Sequence, residues 1–256
     1  MKPDEQETTK RPSVAKRVAL AVVIVLAVLV GASAWYINDY YHADSVALAI
    51  VADENGSSDG VVVQRLSDKA IAFVPDAPVA GLIFYPGAKV QPESYAPLMQ
   101  RYAEAGVLCI LVKPLFNLAL LDSNAAQGLQ EQFPDIDTWL LAGHSMGGLA
   151  ASEFTARNKD NISGVVFLAS YPIADLSGFA GHSLSIAGSN DRVINLTSME
   201  DSFDKLAKQT RQLVIEGGNH ANVGNYGDQS GDGKATIPRE EQQQQAVAAT
   251  LELLAQ

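Results

Sequence analysis

Trp139-Leu-Leu-Ala-Gly-His-Ser-Met-Gly-Gly-Leu149 joins two kinds of chain. Residues 139–143 are an apolar run of strand length, and residues 149–157 have helix-like composition. Between them stands Gly143-His-Ser-Met-Gly147, a G-x-S-x-G pattern at a strand-to-helix turn. A serine in such a turn is thrust off the end of its strand with its hydroxyl exposed. Gly143 and Gly147 remove side chains that would collide in so sharp a turn. The helix that begins after Ser145 directs its positive end toward negative charge developing at that hydroxyl.

Outward from this turn, strand-like and helix-like segments alternate. Candidate strands lie at 61–66, 70–74, 81–85, 107–112, 139–143, 164–169, 184–187 and 213–216, several of them continuously apolar as strands covered on both faces are. Helix-length segments lie at 92–105, 115–131, 146–158, 196–208 and 239–255. This order predicts an α/β fold: a mostly parallel sheet of about eight strands flanked by helices, its first two strands a hairpin. In such sheets chemistry gathers in the loops beyond the carboxyl ends of the strands.

A nucleophilic serine needs a base, and the base an orienting carboxylate. Of the four histidines, His42 lies beside the apolar amino-terminal segment, His144 is inside the turn with its ring directed away from Ser145, and His182 precedes its strand. His220, in Glu216-Gly-Gly-Asn-His220, follows the last strand and reaches the carboxyl edge. Asp191, in Gly188-Ser-Asn-Asp191, follows the preceding strand, with Asp175 as a rival whose loop lacks the tight turn. Ser145, Asp191 and His220 are thus the candidate catalytic residues, in the chain order of a Ser-Asp-His triad on a doubly wound sheet.

The turn at 143–148, the Gly-Ser-x-Asp turn and the Gly-Gly-x-His turn resemble those of the α/β-hydrolase superfamily. Residues 81–245 resemble more closely its fold-5 family, through Phe84-Tyr-Pro-Gly-Ala-Lys-Val90, 93–98, Leu111-Val-Lys-Pro, Asn117-Leu-Ala, 143–148, 188–191 and 217–233. The resemblance implies an α/β-hydrolase fold and a serine hydrolase, esterase-like; a triad working through an acyl-enzyme that water releases needs no cofactor. Its small-molecule acyl substrate is left open. An acyltransferase or lactonase using the same triad, and an anchored binding module without catalysis, are the alternatives. Oxyanion donors are expected at the N–H of Met146 and in the loop after the strand at 81–85, at Gly87 or Ala88.

Lys89 and Lys113 follow strands bordering the same crevice, where they either select an anionic substrate or balance nearby acids. Asp228-Gln-Ser-Gly-Asp232-Gly233 loosely imitates a calcium loop, but its twelfth position is Arg239 where a bidentate glutamate would stand, so it reads as a turn. No His/Cys cluster suggests zinc, and no metal is expected. Residues 170–183 are too few for a helical lid domain, which predicts an open cleft and a small or exposed acyl group.

The amino terminus is of another kind. Residues 18–37 contain no charge, are long enough to span a bilayer as a helix, and follow Lys10, Arg11, Lys16 and Arg17. The expected organisation is a cytoplasmic basic segment at 1–17, a transmembrane anchor at 18–37, a junction at 38–59 with a short helix at 45–53, and a hydrolase domain at 60–256 outside the cytoplasm. Cleavage of a signal peptide after Ala32-Ser33-Ala34 is the competing reading. Residues 1–17 carry a net +2 against −13 on the remainder, and so acidic a body repels phosphate backbones, which argues against nucleic acid as a partner. The one cysteine, Cys109, sits in an apolar strand as a buried structural thiol.

Overall fold

The computed structural model describes residues 13–53, 57–58 and 60–255. Lys10, Arg11 and most of the basic amino-terminal segment lie outside the described residues, as does part of the turn-rich stretch at 55–60. Nine strands form one sheet: β1 (Ser57–Ser58), β2 (Val61–Ser67), β3 (Ala70–Pro75), β4 (Ala80–Tyr85), β5 (Val107–Val112), β6 (Trp139–His144), β7 (Gly164–Leu168), β8 (His182–Gly188) and β9 (Gln209–Ile215). Their order is β1-β2-β3-β5-β4-β6-β7-β8-β9. Pairing is antiparallel from β1 to β5, the hairpin included, and parallel from β5 through β4 to β9. The helices are α1 (Val14–Asn38), α2 (Ser45–Ala52), α3 (Ala96–Glu104), α4 (Met146–Arg157), α5 (Leu196–Asp201) and α6 (Arg239–Leu254).

The continuous apolar strands are covered on both faces, because successive side chains leave opposite sides of a strand. Leu82 and Phe84 pack on one face with Leu98, Met99 and Tyr102 of α3 and Leu253 of α6. Ile83 and Tyr85 pack on the other with Ala150, Ala151 and Phe154 of α4. Each large apolar side chain buried this way contributes about 1.5–3 kcal/mol. Cys109 lies fully inside the first cluster, and burial pushes its thiol pKa up.

Three segments depart from the expected pattern. Residues 115–131 are not a helix but separate single turns at Leu115–Asn117, Ala119–Asp122 and Gln130–Gln132. Phe116 and Asn117 take left-handed φ of 56° and 55° and Gly128 takes 77°, which no continuous helix accommodates. Tyr85 pins this coil from inside the sheet: its hydroxyl donates to Ser123 O and accepts the Ala126 N–H. The helix expected at 196–208 stops at Asp201 because β9 starts at Gln209, four residues early. β9 is an edge strand with a polar first half, so a search for continuous apolar runs finds only its end. The third is the junction at 38–59, whose expected short helix forms as α2 but whose residues from Tyr40 on do not stand apart from the sheet.

The chain divides into two units between Asp39 and Tyr40. Most of the junction therefore folds with the sheet. Tyr41 bridges Val90, donating its N–H to Lys89 O and accepting from Gln91 N–H. Asp44 caps α2 and accepts from Asn225 and Arg239 side chains. In the other unit, α1 has a mean hydropathy of 2.7 over an 18-residue window and no buried residue. It passes the length and composition test that membrane spans and signal sequences share.

Candidate active site

Among the described residues, five other than glycine hold a left-handed φ: Lys89, Phe116, Asn117, Ser145 and Ala169. All five follow the carboxyl ends of β4, β5, β6 and β7. Non-glycine residues held at such angles cost of order 1–3 kcal/mol each, and they persist where surrounding structure imposes them. Strain concentrates on one rim of the sheet, and Ser145 stands in the middle of it.

Ser145 has φ 51° and ψ −122°, between the last residue of β6 and the first of α4. Its N–H donates to Leu168 O at 3.0 Å, and its carbonyl accepts the Ser170 hydroxyl at 2.6 Å. A Cβ on Gly147 would overlap the carbonyl oxygens of Tyr85 and Pro86, and one on Gly143 would overlap the Gly147 backbone. The turn can be this tight only with glycine at both places.

His220 and Asp191 come together from two further loops. His220 Nδ1 lies 2.9 Å from Asp191 Oδ2, with both side chains only 1% exposed. The other oxygen, Asp191 Oδ1, accepts N–H groups from Val193 at 2.8 Å and Ile194 at 3.0 Å, which fixes the plane of the carboxylate. With Nδ1 donating to Asp191, His220 Nε2 is an acceptor; it is buried and has no hydrogen-bond partner among the described residues. The Ser145 hydroxyl makes no hydrogen bond to His220 here. Asp175, the rival acid, is exposed and accepts from Ser177 N–H in its own loop.

Of the expected oxyanion donors, the N–H groups of Met146 and Ala88 have no partner among the described residues. Gly87 is corrected: its N–H donates to Tyr95 Oη at 3.0 Å and is spent there. Tyr95 Oη also lies 2.7 Å from His144 Nδ1, a hydrogen bond whose donor is set by the His144 tautomer. The His144 ring centroid lies 4.5 Å from that of His220. Burial first, and the neighbouring His220 second, hold the His144 pKa well below the ordinary histidine value. Tyr95 is fully buried, and burial pushes its hydroxyl pKa up. Sequence reading missed Tyr95, which sits in an ordinary Pro92-Glu-Ser-Tyr95 turn with no local mark.

A family model described as alpha/beta hydrolase family matches residues 81–244, well over half the chain. The chain belongs to the alpha/beta hydrolase family. A search of curated proteins finds no match. Among solved structures, the hydrolase is similar to TT1662 from Thermus thermophilus, at 18% identity and TM-score 0.55 over 77% of this chain and 99% of that one. It is similar to Est1E from Butyrivibrio proteoclasticus at 15% identity and TM-score 0.53, over 77% of this chain and 100% of that one. A predicted CIB-like hydrolase from Thermoplasma acidophilum matches at 16% identity and TM-score 0.54, over 76% and 99%. At these identities the likeness is one of fold.

Beside Ser145 this hydrolase has a cleft of about 140 Å³ lined by Leu149, Ser170, Tyr171, Val193 and Ile194. The stretch between β7 and β8 holds no helix that could cover it. Lys113 Nζ sits 2.7 Å from Glu93 Oε1. Burial alone would raise the Glu93 carboxyl, but the hydrogen bond and charge of Lys113 outweigh it and hold its pKa below the usual value. Lys89 takes its φ of 56° with its N–H bonded to Asn117 O, which ties the loop after β4 to that after β5. Among the described residues no group of three or more His, Cys, Asp or Glu could hold a metal ion.

Proposed function

We propose that this chain is a serine hydrolase of the esterase type, with Ser145 as nucleophile, His220 as base and Asp191 as its orienting acid. The observation that carries the reading is the buried His220–Asp191 pair, whose Nε2 is left as an unengaged acceptor on the rim where Ser145 is strained. His220 Nε2 takes the Ser145 hydroxyl proton as the oxygen bonds to the acyl carbon. The carbonyl oxygen becomes an oxyanion held by the N–H groups of Met146 and Ala88. The tetrahedral species collapses, His220 returns the proton to the leaving alcohol, and water repeats the sequence to release the acid. Apo sites commonly leave the serine–base bond open until substrate arrives.

The substrate is a small acyl ester. The cleft beside Ser145 is about as large as an engineered apolar cavity of ~150 Å³ that holds benzene. Its walls mix the aliphatic Leu149, Ala169, Val193 and Ile194 with the polar Ser170, Tyr171 and Asn195, and the stretch between β7 and β8 adds no helix over it. We place the enzyme on a membrane, anchored by α1 with the sheet domain outside the cytoplasm; sedimentation of the full chain with membranes, lost on cleavage near Ala34, tests this. Lys113, engaged by Glu93, serves charge balance in this reading.

The test is intact mass of the full chain after fluorophosphonate treatment. One adduct on wild type, absent from Ser145→Ala and His220→Ala, is expected. No adduct on folded wild type would sink the reading. Product analysis with a competing alcohol separates hydrolysis from acyl transfer.

A further inference from the structure

The Asp228–Gly233 turn, which imitates a calcium loop in sequence, lies between the two loops that carry His220 and Asp191. Asp232 Oδ2 accepts the N–H of Ala221, the residue after His220, at 2.9 Å. Asp232 Oδ1 accepts the N–H of Arg192, the residue after Asp191, at 3.2 Å, and that of Gly233 at 2.8 Å. One carboxylate thus holds the position following the base and the position following the acid.

Its neighbours complete the joint. Gly233 lies directly on the carbonyl of Asn190, where a Cβ would overlap it. Asn219 Nδ2 donates to Gly233 O at 2.8 Å, and Asn190 Nδ2 to Lys234 O at 3.1 Å. The residues just before both proposed catalytic side chains therefore bind the same segment as the residues just after them. Regular pairing of β8 with β9 ends at Gly188 and Ile215; beyond it Ser189 and Asn190 bond to residues 215–218, the last of these bonds being Asn190 N–H to Gly218 O at 2.8 Å, which stops short of both Asp191 and His220.

We propose that Asp232 is the positioning residue that sets the separation of Asp191 and His220, an inference that rests on the triad reading above. Charge-assisted bonds from a carboxylate to backbone N–H groups are about twice as strong as neutral ones. A misplacement of about 1 Å in a reacting group costs on the order of 100-fold in rate. Losing this clamp therefore lowers turnover without touching the cleft that binds the acyl group.

The experiment uses the full chain, titrated to completion with fluorophosphonate so that kcat is read per active site on a short p-nitrophenyl ester. Asp232→Ala should lower per-site kcat about 30- to 100-fold with KM within about twofold. Asp232→Asn, of nearly the same shape and keeping one acceptor oxygen, should lose about fivefold and covers the case in which the alanine variant fails to fold. Asp228→Ala, in the same turn but bonded to neither loop, should match wild type. If the Asp232 variants titrate to fewer sites but turn over normally at each, the residue is merely structural and the inference falls. Equal per-site kcat in a fully titrating Asp232→Ala also overturns it while leaving the triad standing. No adduct on wild type overturns the triad reading and this inference together.

Discussion

Ser145 and His220 face the same rim but are held there by different means. Around Ser145 the backbone does the work: β6 enters, α4 leaves, and two glycines allow Gly147 to press on the carbonyls of Tyr85 and Pro86. Around His220 side chains do it. Asp232 bonds the backbone after it, and the Gln242 amide accepts the Asn219 N–H and donates to Asn219 O just before it. A nucleophile fixed by strand and helix has almost nowhere to move, whereas a base fixed by side-chain hydrogen bonds can be loosened one bond at a time. Substitutions near Ser145 should therefore abolish chemistry or folding outright, and those on the other side should grade.

The largest effect tests the first half. Ser145→Ala should lower kcat by about 10⁴- to 10⁶-fold with an unchanged melting temperature. Activity within tenfold of wild type would remove Ser145 from the mechanism. Gly147→Ala comes next, because its methyl group meets two backbone carbonyls that cannot swing aside. It should cost about 3 kcal/mol in urea unfolding. A neutral result would mean that the turn is softer than its geometry implies.

Tyr95→Phe sharpens the contrast from the middle of the site. It leaves the Gly87 N–H and His144 Nδ1 buried without their common partner, an expected loss of about 2 kcal/mol. The loop that carries the Ala88 N–H should loosen, so kcat should fall about tenfold. Unchanged stability and turnover would show that neither group depends on the hydroxyl.

The same contrast explains what could be read from the residues alone. Trp139–Leu149 is a local pattern, with strand, turn and helix contiguous, so the place of Ser145 follows from spacing. His220 and Asp191 follow from the ends of their strands. The segment at 115–131 has the length of a helix between two strands, whereas its geometry is set by Tyr85, 38 and 41 residues away at its two contacts. Tyr95 and Asp232 act through partners distant in the chain, and no periodicity or motif marks such a bond. Gly87 was legible as a residue permitting close approach, but that the approach is to Tyr95 is a fact of packing.

The smallest effect concerns His144, which belongs to the elbow by sequence and to the base by contact. Its folded pKa is depressed, by burial first and by His220 second, while the unfolded chain titrates near about 6.5. Below that pH the unfolded state binds a proton that the native state refuses, so stability falls as the pH falls. The contribution is fully present above the unfolded value and is lost at up to about 1.4 kcal/mol per pH unit on the way down toward the folded value. Glu93, also depressed, loses its contribution in the same direction but lower, as the pH falls through the carboxylate range near about 4.3. Urea midpoints between about pH 7.5 and 5.5 therefore leave the carboxylates out, and comparison with a His144 variant separates His144 from the other three histidines. His144→Gln keeps a hydrogen-bonding group for the Tyr95 hydroxyl and removes the proton site, so its stability should fall less steeply across that window than that of wild type. Equal slopes would mean that His144 takes up a proton in the folded state, which its buried place against His220 argues against.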